Sequence, residues 1–154
     1  MSDFALFDLL EKHNLHISSA ESLTGGAFMS YLTSISGASK VLKGGMVTYL
    51  NEVKEKLGVS SETLDKYGAV SKECAYEMAM SASKFFETEV AISFTGNAGP
   101  TVLENKAVGL VYIGICINSK CETYELHLSG SRNEIREECC KRGLELLIEN
   151  LKSL

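Results

Sequence analysis

Apolar residues along this chain recur at helical spacing in some stretches and form short continuous runs in others. Phe4, Phe7 and Leu10 share one helical face, and Asp3 is placed to cap that helix. Val90–Phe94 is instead a compact run of the kind found in buried strands. The whole pattern predicts helices at 3–12, 26–32, 51–57, 60–67, 71–86 and about 132–151, and strands at 15–19, 46–49, 90–94, 108–117 and 121–128.

The order of these elements predicts one α/β domain spanning residues 1–154. Helices alternate with strands in the first part of the chain. The last two strands flank Asn118-Ser119-Lys120, a short connection typical of a hairpin. Gly44-Gly45 is expected to break the chain before the strand at 46–49. An α/β sandwich with a mixed sheet accommodates both the connections through helices and the hairpin.

Three polar segments follow predicted strands directly, and they are the first candidates for a functional site. These segments are Glu21–Gly26, Tyr49–Lys54 and Thr95–Pro100. In open α/β sheets, ligands bind outside the carboxyl ends of the strands. The sequence therefore predicts that the three segments meet around one site.

Ser22 and Lys54 are the candidate pair for nucleophilic chemistry. His13, His16 and His127 lack a context that would place one of them beside Ser22, so a Ser-His-Asp triad is poorly supported. A lysine acts as a base when burial or neighbouring positive charge lowers its pKa enough to leave a neutral amine. The residues alone leave a second interpretation open, in which Ser22 only caps a helix and Lys54 is a solvated charge.

The glycine-ended turn after Ser22 has two interpretations as well. Backbone N–H groups of Thr24–Gly26 can hold an oxyanion or a phosphate, or the glycines only permit a tight turn. Arg132 is either an anion-binding fork or an exposed surface residue. Thr95–Pro100 is either a ligand loop or only the end of a strand. The chain has no complete Walker A or GxGxxG motif, which disfavours a P-loop NTPase or a Rossmann dinucleotide site.

Composition and charge narrow the classes of partner. A formal charge of −5 over 154 residues disfavours sequence-independent nucleic-acid binding but allows one local basic pocket for a small anion. The five cysteines form no CxxC pair, so we expect them to be reduced, and neither they nor the histidines have metal-site spacing. No run of eighteen apolar residues and no basic leader is present, so we expect a cytoplasmic protein without a membrane partner.

Five ordered motifs resemble the CinA C-terminal domain family, which includes stand-alone nicotinamide-nucleotide amidases. In chain order they are Ala20–Gly26, Gly45–Lys54, Tyr67–Ser71, Thr95–Pro100, and Ser129–Arg132 with Ile135-Arg136. The resemblance implies a three-layer α/β/α sandwich with a mixed, mostly parallel central sheet. It also implies hydrolysis of the carboxamide of nicotinamide mononucleotide to nicotinic acid mononucleotide and ammonia, without a metal or cofactor, in a homo-oligomer.

Carried over by motif, Ser22 would be the nucleophile and Lys54 its general base. The substrate-binding residues that the resemblance implies are Thr24, Gly25, Gly26, Tyr49, Asn51, Thr95, Gly96 and Arg132. The family loop usually reads Gly-Ile-Ala-Gly-Pro followed by further glycines and a proline. Here Asn97 replaces the isoleucine, and residues 101–107 lack both the further glycines and the proline. We expect residues 101–107 to form a mobile loop. The alternative hypothesis is a non-catalytic nucleotide-binding or protein-interaction module of the same fold.

Overall fold

A computed structural model describes residues 4–154 of the chain, with side chains from residue 5 onward, so the predicted cap at Asp3 lies outside it. The helices of this part are α1 (Phe4–Lys12), α2 (Ala27–Thr33), α3 (Asn51–Leu57), α4 (Ser61–Tyr67), α5 (Lys72–Phe86) and α6 (Arg132–Lys152). The strands are β1 (Ile17–Glu21), β2 (Leu42–Val47), β3 (Val90–Gly96), β4 (Leu110–Ile117) and β5 (Lys120–His127). None of these helices is both long enough and apolar enough to cross a membrane.

The strands form one sheet in the order β2-β1-β3-β4-β5. β1 runs parallel to both β2 and β3, and β4 runs antiparallel to both β3 and β5. The hairpin between β4 and β5 turns at Asn118 and Ser119, which both have positive φ. The predicted mixed sheet is confirmed, and its parallel part consists of the three strands whose carboxyl ends share one edge.

Helices cover both faces of the sheet and bury two separate apolar cores. The larger core lies under α1, α2 and α6 and includes Leu10, Phe28 and Leu147. The smaller core lies under α3, α4 and α5 and includes Leu64 and Met78. Burial of apolar side chains on both faces is the main favourable contribution to this arrangement. The result is the predicted three-layer α/β/α sandwich.

The prediction that Gly44-Gly45 breaks the chain is wrong, because both glycines lie inside β2. A Cβ on Gly44 would lie 2.8 Å from a ring carbon of Phe86, and one on Gly45 would lie 2.5 Å from Ser19 Oγ. The glycines therefore serve close packing around the strand instead of a turn. As a consequence β2 begins at Leu42, well before the predicted strand at 46–49.

The prediction that all five cysteines are reduced is wrong for two of them. Cys116 in β4 and Cys121 in β5 are register partners, their Cα atoms are 4.0 Å apart, and they form a disulfide. The pairing depends on a turn between them that places the two residues opposite each other, which spacing alone does not show. Cys74, Cys139 and Cys140 are free thiols.

Candidate active site

A pocket of about 450 Å³ lies where the parallel strands β1, β2 and β3 end. The three polar segments after these strands contribute to its wall, together with Ala69, Val70, Leu103, Glu104 and Arg132. Its volume falls in the range of small-molecule sites. The strand-end prediction therefore locates the pocket correctly.

Ser22 is the first residue after β1 and lines the pocket. Its backbone N–H donates to the carbonyl of Phe94 at 2.9 Å, and its carbonyl accepts from the N–H of Gly25 at 3.0 Å. The residue is thus fixed on one side by β3 and on the other by the turn that leads into α2. This backbone environment holds the Ser22 hydroxyl at the pocket wall.

Lys54 lies on α3, and only 1% of its surface is exposed. Its Nζ is 3.1 Å from Ser22 Oγ, 2.7 Å from the carbonyl oxygen of Thr48 and 2.6 Å from that of Tyr49. Burial lowers the pKa of Lys54, an effect that the Cys74 thiol and the Glu104 carboxylate partly oppose. Within the side chains that the structure describes, Lys54 forms no ion pair.

Lys54 Nζ donates to Ser22 Oγ and to the carbonyls of Thr48 and Tyr49, three acceptors that match the three hydrogens of an ammonium. The lowered pKa of Lys54 favours loss of one of these hydrogens, which leaves a neutral amine. Such an amine has two hydrogens and one lone pair, and the carbonyls of Thr48 and Tyr49 accept the two hydrogens. In that state the lone pair faces Ser22 Oγ, and the Ser22 hydroxyl, which donates to the Tyr49 carbonyl at 3.4 Å, must turn to donate to Nζ. A protonated Lys54 would instead donate to Ser22 Oγ and could not remove its proton. A serine nucleophile with a lysine base requires two such groups within hydrogen-bond distance.

Arg132 is the first residue of α6, and a capping box between Ser131 and Glu134 fixes the start of that helix. Its Nη1 donates to the carbonyl of Gly99 at 2.6 Å, and its Nη2 donates to the Tyr49 hydroxyl at 3.1 Å. The guanidinium is therefore held at the exposed side of the pocket by two different segments. A fixed guanidinium at this place can bind a phosphate or carboxylate.

The opposite wall is built from the connection between α4 and α5. Thr95 Oγ1 donates to the carbonyl of Ala69 at 2.7 Å. The Glu104 carboxylate accepts the N–H groups of Ala69 and Val70 at 2.9 and 3.1 Å, and Lys106 Nζ at 3.1 Å. Burial opposes ionisation of Glu104, but these donors outweigh it and lower its pKa. The loop predicted to be mobile is thus anchored by its own acid.

Glu21 occupies the start of α2. This carboxylate is 1% exposed and accepts the backbone N–H groups of Gly26, Phe28 and Met29 at 3.2, 3.0 and 3.0 Å. A carboxylate at this position satisfies N–H groups that have no partner within the helix. These three N–H groups at the start of α2 are therefore already hydrogen-bonded to Glu21.

The structure does not bring Thr24, Gly25 and Gly26 to the pocket wall. The N–H of Gly25 donates to the Ser22 carbonyl, and that of Gly26 donates to Glu21. The predicted oxyanion or phosphate cradle is thus absent at the two glycines. Their positive φ values, 59° and 97°, show that they serve the tight turn.

The profile of the CinA C-terminal domain family matches residues 3–151. The chain belongs to this family. A competence-damage inducible protein of Bacillus subtilis (strain 168) is 48% identical over 143 residues, which are 92% of this chain and 34% of that protein. A CinA-like protein of Kosmotoga olearia is 46% identical over 142 residues, 91% of this chain and 34% of that protein. The chain spans about a third of the length of these curated relatives.

Solved structures of CinA proteins share the fold. A CinA superfamily protein from Klebsiella pneumoniae superposes with a TM-score of 0.96 at 25% identity, covering 99% of this chain and 96% of the other. A competence/damage inducible protein from Agrobacterium tumefaciens superposes with a TM-score of 0.89 at 36% identity, covering 99% and 97%. The recognition of the CinA family from five sequence motifs is confirmed.

Most of the site residues implied by the CinA motifs come together in this pocket, although they derive from four separate segments. The residues brought together are Ser22, Tyr49, Asn51, Lys54, Thr95, Gly96 and Arg132. Their chemical roles stay predictions. No three His, Cys, Asp or Glu side chains among residues 5–154 are grouped so that they could hold a metal ion.

Sequence reasoning missed the residues that support the loop opposite Ser22. Asn97, where the CinA family usually has isoleucine, is buried, and its side chain donates to the Lys106 carbonyl and accepts from the Gly99 N–H. Ala69 and Val70 form part of the wall, yet their motif had no predicted role. The available signal was that Tyr67–Ser71 is one of the five motifs that carry the resemblance.

Proposed function

We propose that this chain is a nicotinamide-nucleotide amidase that hydrolyses the carboxamide of nicotinamide mononucleotide to nicotinic acid mononucleotide and ammonia. The observation that carries the proposal is the 3.1 Å contact between Lys54 Nζ and Ser22 Oγ in a buried setting. Burial favours the neutral amine that a general base must be, whereas an exposed lysine would stay protonated at neutral pH. Membership of the CinA family also supports the proposed amidase function.

In the first half of the reaction, Ser22 Oγ attacks the carboxamide carbon while its proton passes to Lys54 Nζ. The carbonyl π electrons move to oxygen and form a tetrahedral oxyanion. When this intermediate collapses, the C–N bond breaks and the Lys54 ammonium returns a proton to the leaving nitrogen. Ammonia leaves, and the nicotinoyl group stays bonded to Ser22 as an ester.

In the second half, water attacks the ester carbon while Lys54 accepts one of its protons. The bond between Ser22 Oγ and the acyl carbon then breaks, and the Lys54 proton returns to Ser22. The acid product leaves and both residues regain their starting protonation states. The same lysine serves as base and acid in each half because its Nζ stays beside Oγ.

The pocket also offers features that fit a nucleotide. Arg132 supplies a fixed guanidinium for the phosphate, with Tyr49 holding it in place. Thr95, Asn51 and Gly96 shape the rest of the pocket. We expect the substrate to be a free nucleotide in the cytoplasm, and the chain to act as a homo-oligomer, which size-exclusion chromatography with light scattering would test.

The test is to incubate the purified chain with nicotinamide mononucleotide, nicotinamide riboside, nicotinamide and unrelated carboxamides, and to measure ammonia. Release from nicotinamide mononucleotide is expected, and Ser22→Ala should lower it on the order of 10³-fold or more. Ser30→Ala, which changes an exposed serine on α2, is the matched control and should retain full activity. Full activity in Ser22→Ala would refute the mechanism, and ammonia from a different carboxamide would reassign the substrate.

The non-catalytic module is the other outcome of this experiment. Calorimetry that shows nucleotide binding, combined with no ammonia from any carboxamide over long incubation, would favour it. Steady Ser22-dependent release excludes it.

A further inference from the structure

Two backbone N–H groups beside Ser22 have no partner within the described chain. The N–H groups of Ser22, Gly25 and Gly26 each donate to a protein oxygen. Those of Leu23 and Thr24 donate to no residue between positions 4 and 154. A serine nucleophile needs donors where the oxyanion develops, and the N–H of the residue after the nucleophile is well placed for this. Leu23 also lines the pocket.

The direction of the Thr24 N–H depends on one turn. The hydrogen bond from the Gly25 N–H to the Ser22 carbonyl closes a β-turn whose central peptide joins Leu23 to Thr24. Type I and type II turns differ by a flip of this central peptide, which reverses its N–H. Type II needs a positive φ at Thr24, which Thr24 does not have. The peptide between Leu23 and Thr24 therefore does not adopt the type II orientation.

Arg136, one turn after Arg132 on α6, holds this peptide. Its Nε donates to the carbonyl of Leu23 at 2.8 Å, and its Nη2 donates to the carbonyl of Thr24 at 3.2 Å. Charge-assisted hydrogen bonds of this kind are stronger than neutral ones. In a trans peptide the C=O and N–H point in opposite directions, so a Leu23 carbonyl held toward Arg136 directs the Thr24 N–H away from it.

We propose that Arg136 is a positioning residue that fixes the turn after Ser22, and that the N–H of Leu23 at the start of this turn stabilises the oxyanion formed when Ser22 attacks. The inference rests on the proposed function, since it needs Ser22 as nucleophile. Arg136 itself does not line the pocket. It acts only through the turn, so its loss should affect the transition state more than substrate binding.

The test compares Arg136→Met and Arg136→Lys with wild type, using nicotinamide mononucleotide and p-nitrophenyl acetate as substrates. The ester also passes through an oxyanion but needs no nucleotide recognition. Arg136→Met should lower kcat about 10²-fold on both substrates, as loss of oxyanion stabilisation does, with KM changed less than threefold. Arg136→Lys, which keeps one donor for the Leu23 carbonyl, should have a kcat at least tenfold higher than that of Arg136→Met. Arg142→Met, which changes an arginine of α6 that pairs with Glu145 and not with the turn after Ser22, is the control.

Two further measurements separate positioning from a merely structural role. The midpoint of the pH–rate profile should stay where it is in wild type, because Arg136 has no contact with Lys54. The Tm of each variant should not follow its loss of kcat. If Arg136→Met does not fold, Arg136→Lys alone decides, with an expected loss in kcat of about tenfold relative to wild type at unchanged KM.

Several results would overturn the inference. They are a kcat of Arg136→Met within threefold of wild type, a loss confined to KM, and a loss in both variants that tracks Tm. Wild-type protein that hydrolyses the ester through Ser22 but releases no ammonia from nicotinamide mononucleotide would refute the proposed function, and the ester would still test Arg136. Wild-type protein that hydrolyses neither substrate would refute both.

Discussion

Lys54 Nζ lies 3.1 Å from Ser22 Oγ, although the two residues are 32 positions apart in the chain. Strand pairing produces this contact, because Glu21 at the end of β1 pairs in parallel with Val47 at the end of β2. The segment that leads from β2 into α3 therefore begins beside Ser22. A shift of one residue in this register would turn the pairing to the other face and separate the two groups.

The first prediction concerns the pH dependence of activity. Only neutral Lys54 can accept the Ser22 proton, so the rate of ammonia release should rise with pH as Lys54 loses its proton. Burial lowers the pKa of Lys54, so the midpoint of this rise should lie below 10.5, the ordinary value for lysine. A profile of kcat/KM against pH measures the midpoint. A rate that falls as pH rises through this range would contradict the role of Lys54.

The second prediction concerns stability and uses Lys54→Met. Between the pKa of Lys54 in the folded state and 10.5, the unfolded chain binds more protons at this residue than the folded chain. The free energy of unfolding of wild type, measured relative to Lys54→Met, should therefore rise with pH across that interval and be constant below it. Urea unfolding at a series of pH values gives this difference. A difference that declines with rising pH would show that the folded state favours the charged amine.

The third prediction concerns the anchored loop. At neutral pH, Glu104→Gln should lower the free energy of unfolding by about 1–3 kcal/mol and raise KM, because the ionised carboxylate accepts from Ala69, Val70 and Lys106. The donors lower the Glu104 pKa, so the carboxylate stabilises the fold above its unfolded pKa, and this contribution is lost as pH falls through the folded pKa. The gap between wild type and Glu104→Gln should accordingly shrink in acid.

The control for the loop is Glu62→Gln, which changes an exposed acid on α4. It should leave both KM and the free energy of unfolding close to wild type. Equal effects of the two substitutions would mean that Glu104 contributes only its negative charge.

The fourth prediction tests the packing of β2. Gly44→Ala should lower the free energy of unfolding by about 1–3 kcal/mol, because the new methyl group meets the Phe86 ring at 2.8 Å. Phe86→Leu in the same chain should return part of that loss by removing the ring. Chemical denaturation of the two single variants and the double variant completes a double-mutant cycle. Additive effects would show that the two residues do not interact.

Local features of the fold were predictable from sequence where the cause is local. Helices were predicted to start at 60 and 71, and at these positions Ser60 and Ser71 cap the helices by accepting the backbone N–H groups of Thr63 and Cys74. The place of Gly44 was not predictable in this way, because it depends on a ring from α5 that the chain supplies far downstream. Every major difference from the predicted elements arises from contacts between residues that lie far apart in the sequence.

The candidate site was likewise predictable from sequence only in part. Strand ends and family motifs together predicted that Ser22, Lys54 and Arg132 would share one pocket, and they do. The residues that hold the pocket wall were missed because their function depends on a partner chosen by tertiary structure. Glu104 is an ordinary surface acid in the sequence and becomes an anchor only because residues 69 and 70 lie opposite it.

The buried carboxylate of Glu21 bears on how the proposed reaction ends. Hydrolysis converts a neutral carboxamide into an anion next to Ser22, and an unoccupied helix start at that point would retain the anion. Glu21 already neutralises the start of α2, so the newly formed acid group gains no hold there. At its nicotinate end the product would then be held only by the N–H proposed for the oxyanion, and at its phosphate end by Arg132.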